Sequence, residues 1–178
     1  MEVRFNFIAS KIDENQIRKK IEDLKIKNVN IDEILKELKE TVKDLDDVEV
    51  EIRIMVSENG YNILIETPSV GELVKKELKV EKLKISEEDK AKGITSVGDL
   101  KFEQVVKIAK IKRHEIFAKD FKKVVKQIVS ACLSMPITIE GKNPKEILKE
   151  IDEGKWDSFL NVWNKFRLTR ALLRQEGF

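Results

Sequence analysis

Lysines and arginines dominate residues 101–130, which hold nine basic and three acidic side chains, a net charge of +6. Lys119, Lys122, Lys123 and Lys126 recur at steps of three and four residues, a spacing that places them along one side of a helix. Ammonium groups near a helix N-terminus offer phosphate oxygens both charge and free backbone N–H groups. The stretch is therefore either a solvated helix surface or a binding site for RNA or DNA.

Motifs for catalysis and metal binding are missing from the sequence. It contains no GxxxxGK[ST] or GxGxxG phosphate loop, no HExxH and no CxxC pair. We expect His114 to be a surface or loop side chain and Cys132 to be a small core residue. Three aspartates between a helix and a strand are better explained as solvated turn residues (Asp44, Asp46 and Asp47). We therefore predict no catalytic residue, metal or cofactor.

The composition limits the class of protein. The chain has 178 residues, 41% of them hydrophobic and 38% charged, and its single cysteine excludes an internal disulfide. No run approaches a membrane span, and the N-terminal MEVRFNFIAS lacks the apolar stretch of a signal peptide. We expect a soluble intracellular protein. Residues 1–70 carry 11 basic and 16 acidic side chains, whereas residues 71–178 carry 24 and 17, which suggests two modules with different partners.

Hydrophobic periodicity predicts a small first module over residues 1–68. Val3, Phe5 and Phe7 alternate with polar residues as in a half-buried strand. Residues 13–25 and a segment capped by Asn30 have the spacing of amphipathic helices. EVEIRIMV and YNILIE then alternate on either side of SENG, which predicts a β-hairpin. A strand, two helices and a hairpin make an α+β module.

A second, basic module is predicted over residues 69–152. Short helices are expected over residues 72–79, after Asp99 and from Asp120 to Ser134, with a short strand at ITIEG. Residues 80–98 are charged and lack apolar periodicity, so they are either a solvated loop or a loop that becomes ordered on a partner.

The predicted third segment, residues 153–178, is a helical tail with an aromatic stripe. Its large side chains recur at steps of three and four residues and are followed by arginines (Trp156, Phe159, Leu160, Trp163, Phe166, Arg167, Arg170 and Arg174). The stripe either packs on its own protein or docks on RNA or a neighbouring protein.

Three segments carry a resemblance to a known family: TPSVGELVKKELKVEK, VGDLKFEQVVKIAKIKR and AKDFKKVVKQIVSACLSMPITIEGKNPKEILKEIDEGKWD. Over roughly residues 63–157 the sequence resembles the C-terminal domain of large-subunit ribosomal protein eleven in its archaeal form, the stalk-base protein of the GTPase-associated centre. The resemblance implies a homeodomain-like three-helix module that binds folded large-subunit ribosomal RNA. It also implies a mobile N-terminal module that supports translational GTPases.

The resemblance assigns residues to the RNA surface. Small side chains match the RNA-facing helix, and five basic residues match other RNA contacts of the family (Ser130, Ala131 and Ser134; Lys75, Lys76, Lys112, Arg113 and Lys119). The charge pattern adds Lys110, Lys122 and Lys123 as further phosphate contacts. The implied partners are large-subunit ribosomal RNA, a neighbouring stalk protein and, transiently, translational GTPases, with no membrane. The implied location is the cytoplasmic ribosome.

Departures from the family keep a second hypothesis open. The family's N-terminal Gly/Pro-rich run is replaced by SKIDENQIRKKIEDLKIKN, and Gly-Thr on the RNA-facing helix becomes Ser130-Ala131. The first hypothesis is a structural, non-catalytic ribosomal protein that retains RNA binding. The alternative is a divergent paralogue that acts off the ribosome as a protein-interaction adaptor.

Overall fold

The computed structural model describes residues 2–23, 30–43, 45, 47–57, 60–113, 115–116, 118 and 120–161. The chain divides into two compact units, Met1–Pro68 and Ser69–Phe178. Helices and strands occur in both, which confirms the predicted α+β class. Within the described ranges no helix is both long and apolar enough to span a membrane.

The first unit is a three-stranded antiparallel sheet with helices on one face. Its elements are β1 (Glu2–Ile8), a 3-10 turn (Ala9–Lys11), α1 (Glu14–Asp23), α2 (Ile31–Val42), β2 (Glu49–Ser57) and β3 (Gly60–Glu66). The strand order is β1-β2-β3, and Phe5 lies opposite Ile52. The predicted strand and hairpin are confirmed because alternate apolar residues face the helices. The Asn30 side chain caps α2 by accepting a hydrogen bond from Asp32 N at 3.1 Å.

Helix α1 occupies the region where the resembled family has its Gly/Pro-rich run. Ile17 and Ile21 are buried in α1, as its periodicity predicts, and Asp13 Oδ1 accepts from Asn15 N at 3.0 Å. Leu24, the third apolar position predicted for this helix, lies outside the described residues. The chain therefore forms the predicted helix where the resembled family has a Gly/Pro-rich run.

The second unit packs helices around two short parallel strands. Its elements are α3 (Val70–Leu78), α4 (Glu87–Ala91), β4 (Asp99–Leu100), α5 (Phe102–Lys112), α6 (Phe121–Cys132), β5 (Thr138–Ile139) and α7 (Pro144–Asp152). Helix α6 contacts α3, α5 and α7. Asp99 Oδ1 accepts from Thr138 Oγ1 at 2.6 Å and from Gly141 N at 2.7 Å, which ties β4 to β5.

The segment over residues 80–98 contains a helix that its apolar pattern did not predict. Helix α4 spans five residues and begins after Ser86, whose Oγ accepts from Asp89 N at 3.1 Å. A serine cap and acidic side chains in the first turn stabilise a helix that is too short to show apolar periodicity. Val97 N donates to Pro136 O at 2.8 Å and fixes the end of this segment beside β5.

The chain beyond α7 returns to the core of the second unit. The Trp156 ring stacks on Phe102 with centroids 3.9 Å apart, and Phe159 meets Phe102 edge-on at 5.6 Å. Trp156 Nε1 donates to Glu150 Oε2 at 3.1 Å, and Leu160 is buried. This part of the aromatic stripe packs on its own protein. Trp163, Phe166 and the three arginines lie outside the described residues.

Removing the cap of α6 should destabilise the second unit. Asp120 accepts from Lys122 N at 3.1 Å, so Asp120→Ala is expected to cost about 1 kcal/mol, whereas Asp120→Asn keeps an acceptor and should cost much less. Urea unfolding followed by tryptophan fluorescence measures this, because both tryptophans of the chain follow residue 68. Equal unfolding midpoints for the two variants would contradict the role of the cap.

Candidate nucleic-acid interface

The two sides of α6 have opposite characters. Six of its side chains are buried (Phe121, Val124, Val125, Ile128, Val129 and Cys132). Lys123, Gln127 and Ser130 are exposed and follow one another at steps of four and three residues, and Ser134 continues the row beyond the end of the helix. Residues with this spacing share one side of a helix, so we call these four residues the outward face of α6.

The outward face combines small side chains with one cation. Ser134 Oγ donates to Ala131 O at 2.9 Å, which keeps the hydroxyl close to the backbone. Among the described residues Lys123 has no carboxylate partner. Gln127 belongs to this face although the family resemblance did not assign it. Its distance of four residues from Lys123 and three from Ser130 is the signal that could have identified it.

Two lysines at the flank of α6 are paired with carboxylates. Lys122 Nζ lies 2.7 Å from Asp157 Oδ1, and Lys126 Nζ lies 2.5 Å from Asp152 Oδ1. The sequence pattern treated all lysines of this helix alike. The structure separates them, because Lys122 and Lys126 have anionic partners within the chain and Lys123 points to solvent.

The basic residues at the end of α5 are less exposed to solvent than Lys123. Lys112 is buried and pairs with Glu115, and Lys110 is half-buried. The Arg113 guanidinium carbon lies 6.0 Å from the centre of the Phe121 ring, over which it packs. Lys119, the remaining basic residue of this connection, lies outside the described residues.

Lys75 and Lys76 lie in the last turn of α3, where cations are favoured by the helix dipole. Lys75 pairs with Glu72 and is half-buried, whereas Lys76 is exposed. The described residues of the predicted RNA surface therefore occupy three places: the last turn of α3, the end of α5, and helix α6 with the residues just beyond it. Only Lys123, Ser130 and Ser134 among them belong to the outward face of α6, with Lys122 and Ala131 beside it.

Reactive groups are poorly placed for chemistry in the described residues. Burial raises the pKa of the Cys132 thiol to about 11, so the thiol is protonated at neutral pH and a poor nucleophile. Over the described ranges no group of three or more His, Cys, Asp or Glu side chains could hold a metal ion. His114, Asp44 and Asp46 lie outside those ranges. The surface that the residues do form is suited to contact with a polyanion.

Similarity to known proteins covers the same helices. A model of the family described as Ribosomal protein L11, RNA binding domain, matches residues 66–139, a range that contains α3 to α6 and both strands of the small sheet.

Individual relatives extend this similarity to most of the chain. The large ribosomal subunit protein uL11 of Methanopyrus kandleri is 37% identical over 139 residues, which are 77% of this chain and 81% of the relative. The protein of the same name from Thermococcus onnurineus is 36% identical over 132 residues, 72% and 78% of the two chains. That from Nitrosopumilus maritimus is 37% identical over 131 residues, 72% and 79%. The chain therefore belongs to the uL11 family of large-subunit ribosomal proteins.

Proposed function

We propose that the protein is a non-catalytic, structural constituent of the large ribosomal subunit in the cytoplasm. In this role it binds large-subunit ribosomal RNA at the stalk base, beside a neighbouring stalk protein, and supports translational GTPases that bind there transiently. The observation that carries the proposal is the outward face of α6, which lies within the range matched by the RNA-binding-domain model.

The shape and charge of this face suit folded RNA. The minor groove of an A-form helix is wide and shallow, so a protein helix approaches it closely only where its side chains are short. Ser130, Ala131 and Ser134 supply short side chains, and Lys123 supplies an open cation for a phosphate. RNA would thus be recognised through backbone and shape.

Basic groups around this face are proposed as further phosphate contacts. They are the five basic residues that match the family's RNA surface and two lysines chosen from the charge pattern (Lys75, Lys76, Lys112, Arg113 and Lys119; Lys110 and Lys122). Of these, Lys75, Lys112 and Lys122 have carboxylate partners in the free protein. Each would exchange that partner for a phosphate, and such an exchange yields less binding free energy than the contact of an open cation.

Support of GTPase factors is proposed for the first unit. The resemblance implies this role, and α1 replaces the Gly/Pro-rich run through which the family meets RNA and GTPases. Contacts made by this unit would therefore use the exposed side chains of a regular helix in place of a glycine-rich backbone.

The alternative function, an adaptor off the ribosome, is less favoured by the described part of the aromatic stripe. Trp156 and Phe159 pack on Phe102, and Leu160 is buried, so these side chains already have partners within the second unit. The replaced N-terminal run remains as the observation that favours the adaptor.

Reversing the charge of Lys123 should weaken RNA binding. For Lys123→Glu we expect an affinity for a stalk-base ribosomal RNA fragment at least about tenfold lower, and a dependence of log K on log salt concentration shallower by about 1. Lys123→Arg keeps the cation and should bind like the parent chain. Titration at several salt concentrations measures both quantities, and wild-type binding by Lys123→Glu would refute the assignment of this face.

The double variant Lys119→Glu with Lys123→Glu should show a larger loss of RNA affinity than Lys123→Glu alone.

A larger side chain at position 130 should keep the outward face of α6 from close contact with RNA. Ser130→Phe is expected to lower RNA affinity by about tenfold or more, because the ring would hold α6 away from the groove. Ser130→Ala should bind normally. Ser130 is exposed, so both variants should unfold within about 0.5 kcal/mol of the parent chain. Tight RNA binding by Ser130→Phe would show that this part of the helix does not meet RNA.

Sedimentation of cell extracts separates the ribosomal role from the adaptor role. We expect the protein to migrate with large ribosomal subunits at moderate salt and to leave them at high salt, since phosphate contacts weaken as salt increases. Detection with an antibody across a sucrose gradient measures the distribution. Its presence only in the light fractions at moderate salt would favour the adaptor.

A further inference from the structure

Two aspartates contact lysines of α6, one from the end of α7 and one from the start of the helical segment that follows the next turn. Asp152 pairs with Lys126, and Asp157 pairs with Lys122 at 2.7 Å. We call Asp152 and Asp157 the carboxylate pair. Both contacts join residues distant in sequence, separated by 26 and 35 positions.

A glycine turn directs Asp157 back toward α6. Gly154 has a φ of +80°, with Gly154 N donating to Ile151 O at 3.1 Å and Lys155 N donating to Glu150 O at 3.0 Å. This is the Schellman arrangement that ends a helix and reverses the chain. A Cβ atom at Gly154 would lie 2.9 Å from Asp157 Oδ2, so the glycine also leaves space for the carboxylate.

We propose that the carboxylate pair sets the affinity and selectivity of the protein for RNA by competing with phosphates for Lys122 and Lys126. The inference rests on the proposed function, because it concerns the same helix. In the free protein two ammonium groups at the flank of α6 already have anionic partners. RNA must displace these carboxylates to use both cations, so binding depends more on the fit of the outward face and less on non-specific charge attraction.

The exposure of the two pairs argues against a mainly structural role. The side chains of Lys122 and Asp157 are 28% and 45% exposed, and those of Lys126 and Asp152 are 36% and 59% exposed. Ion pairs open to water to this degree are screened and add little to folding stability. Variants of the carboxylate pair should therefore fold.

The test compares the full-length chain with the double variant Asp152→Asn, Asp157→Asn. One probe is a stalk-base ribosomal RNA fragment from Methanopyrus kandleri, and the other is heparin, a polyanion without the shape of that RNA. Two freed cations should tighten RNA binding by up to about tenfold at about 0.1 M salt and steepen the log–log salt dependence by about 1.5. Heparin binding should tighten by a larger factor, so the preference for RNA over heparin should fall; an unchanged or greater preference would overturn the selectivity part of the inference.

A matched control separates this effect from net charge. The variant Glu146→Gln, Glu153→Gln removes two negative charges from the same region, but Glu153 pairs with Lys155 and neither glutamate pairs with a lysine of α6 among the described contacts. It should leave both affinities within about twofold of the parent chain. Adding Lys122→Gln and Lys126→Gln to the aspartate variant should abolish the gain.

The outcomes distinguish this inference from the proposed function. If the parent chain binds the RNA fragment and the aspartate variant binds it no more tightly, the inference is wrong and the proposed function stands. An equal gain in the glutamate control would also overturn the inference, since net charge would explain it. If the parent chain ignores the RNA fragment, the proposed function fails and the inference about RNA fails with it, even where the aspartate variant gains affinity for heparin.

Discussion

The apolar stripe of α6 is the constraint on which the second unit depends. Six side chains of this twelve-residue helix are buried, and α3, α5 and α7 contact it. A helix packed in this way leaves only its opposite side open to solvent. That side carries Lys123, Gln127, Ser130 and Ser134, so the residues that build the core also fix which residues face outward. The RNA surface proposed for this uL11 protein is thus a consequence of core packing.

Tertiary contacts, more than composition, determine which basic groups of α6 and its neighbours are available to a partner. Lys122, Lys123 and Lys126 are the same residue type within five positions, yet two pair with carboxylates and one is open to solvent. Lys112 is buried with Glu115 as its partner. The net charge of +6 over residues 101–130 therefore overstates the number of cations available to a polyanion.

The stack of Trp156 on Phe102 joins the start of α5 to the turn after α7. Glu150 supports this contact by accepting a hydrogen bond from the indole, and a hydrogen bond from Lys142 holds the pKa of the Glu150 carboxyl below its usual value. The chain that follows α7 is therefore part of the second unit at least as far as Leu160, which is buried. Without this return, Asp157 would not reach Lys122.

Local patterns in the sequence determined much of the fold: the hairpin, the Asn30 cap of α2 and the buried sides of α5 and α6. They did so because strand and helix periodicities depend on neighbours within a few residues. The family motifs matched the range that contains α3, α5 and α6, the helices proposed to contact RNA. Two features were decided only by the tertiary structure: the pairing of particular lysines with carboxylates, and the inward packing of Trp156. Those features depend on contacts between residues far apart in sequence, such as Lys122 with Asp157 across 35 positions, which periodicity cannot report.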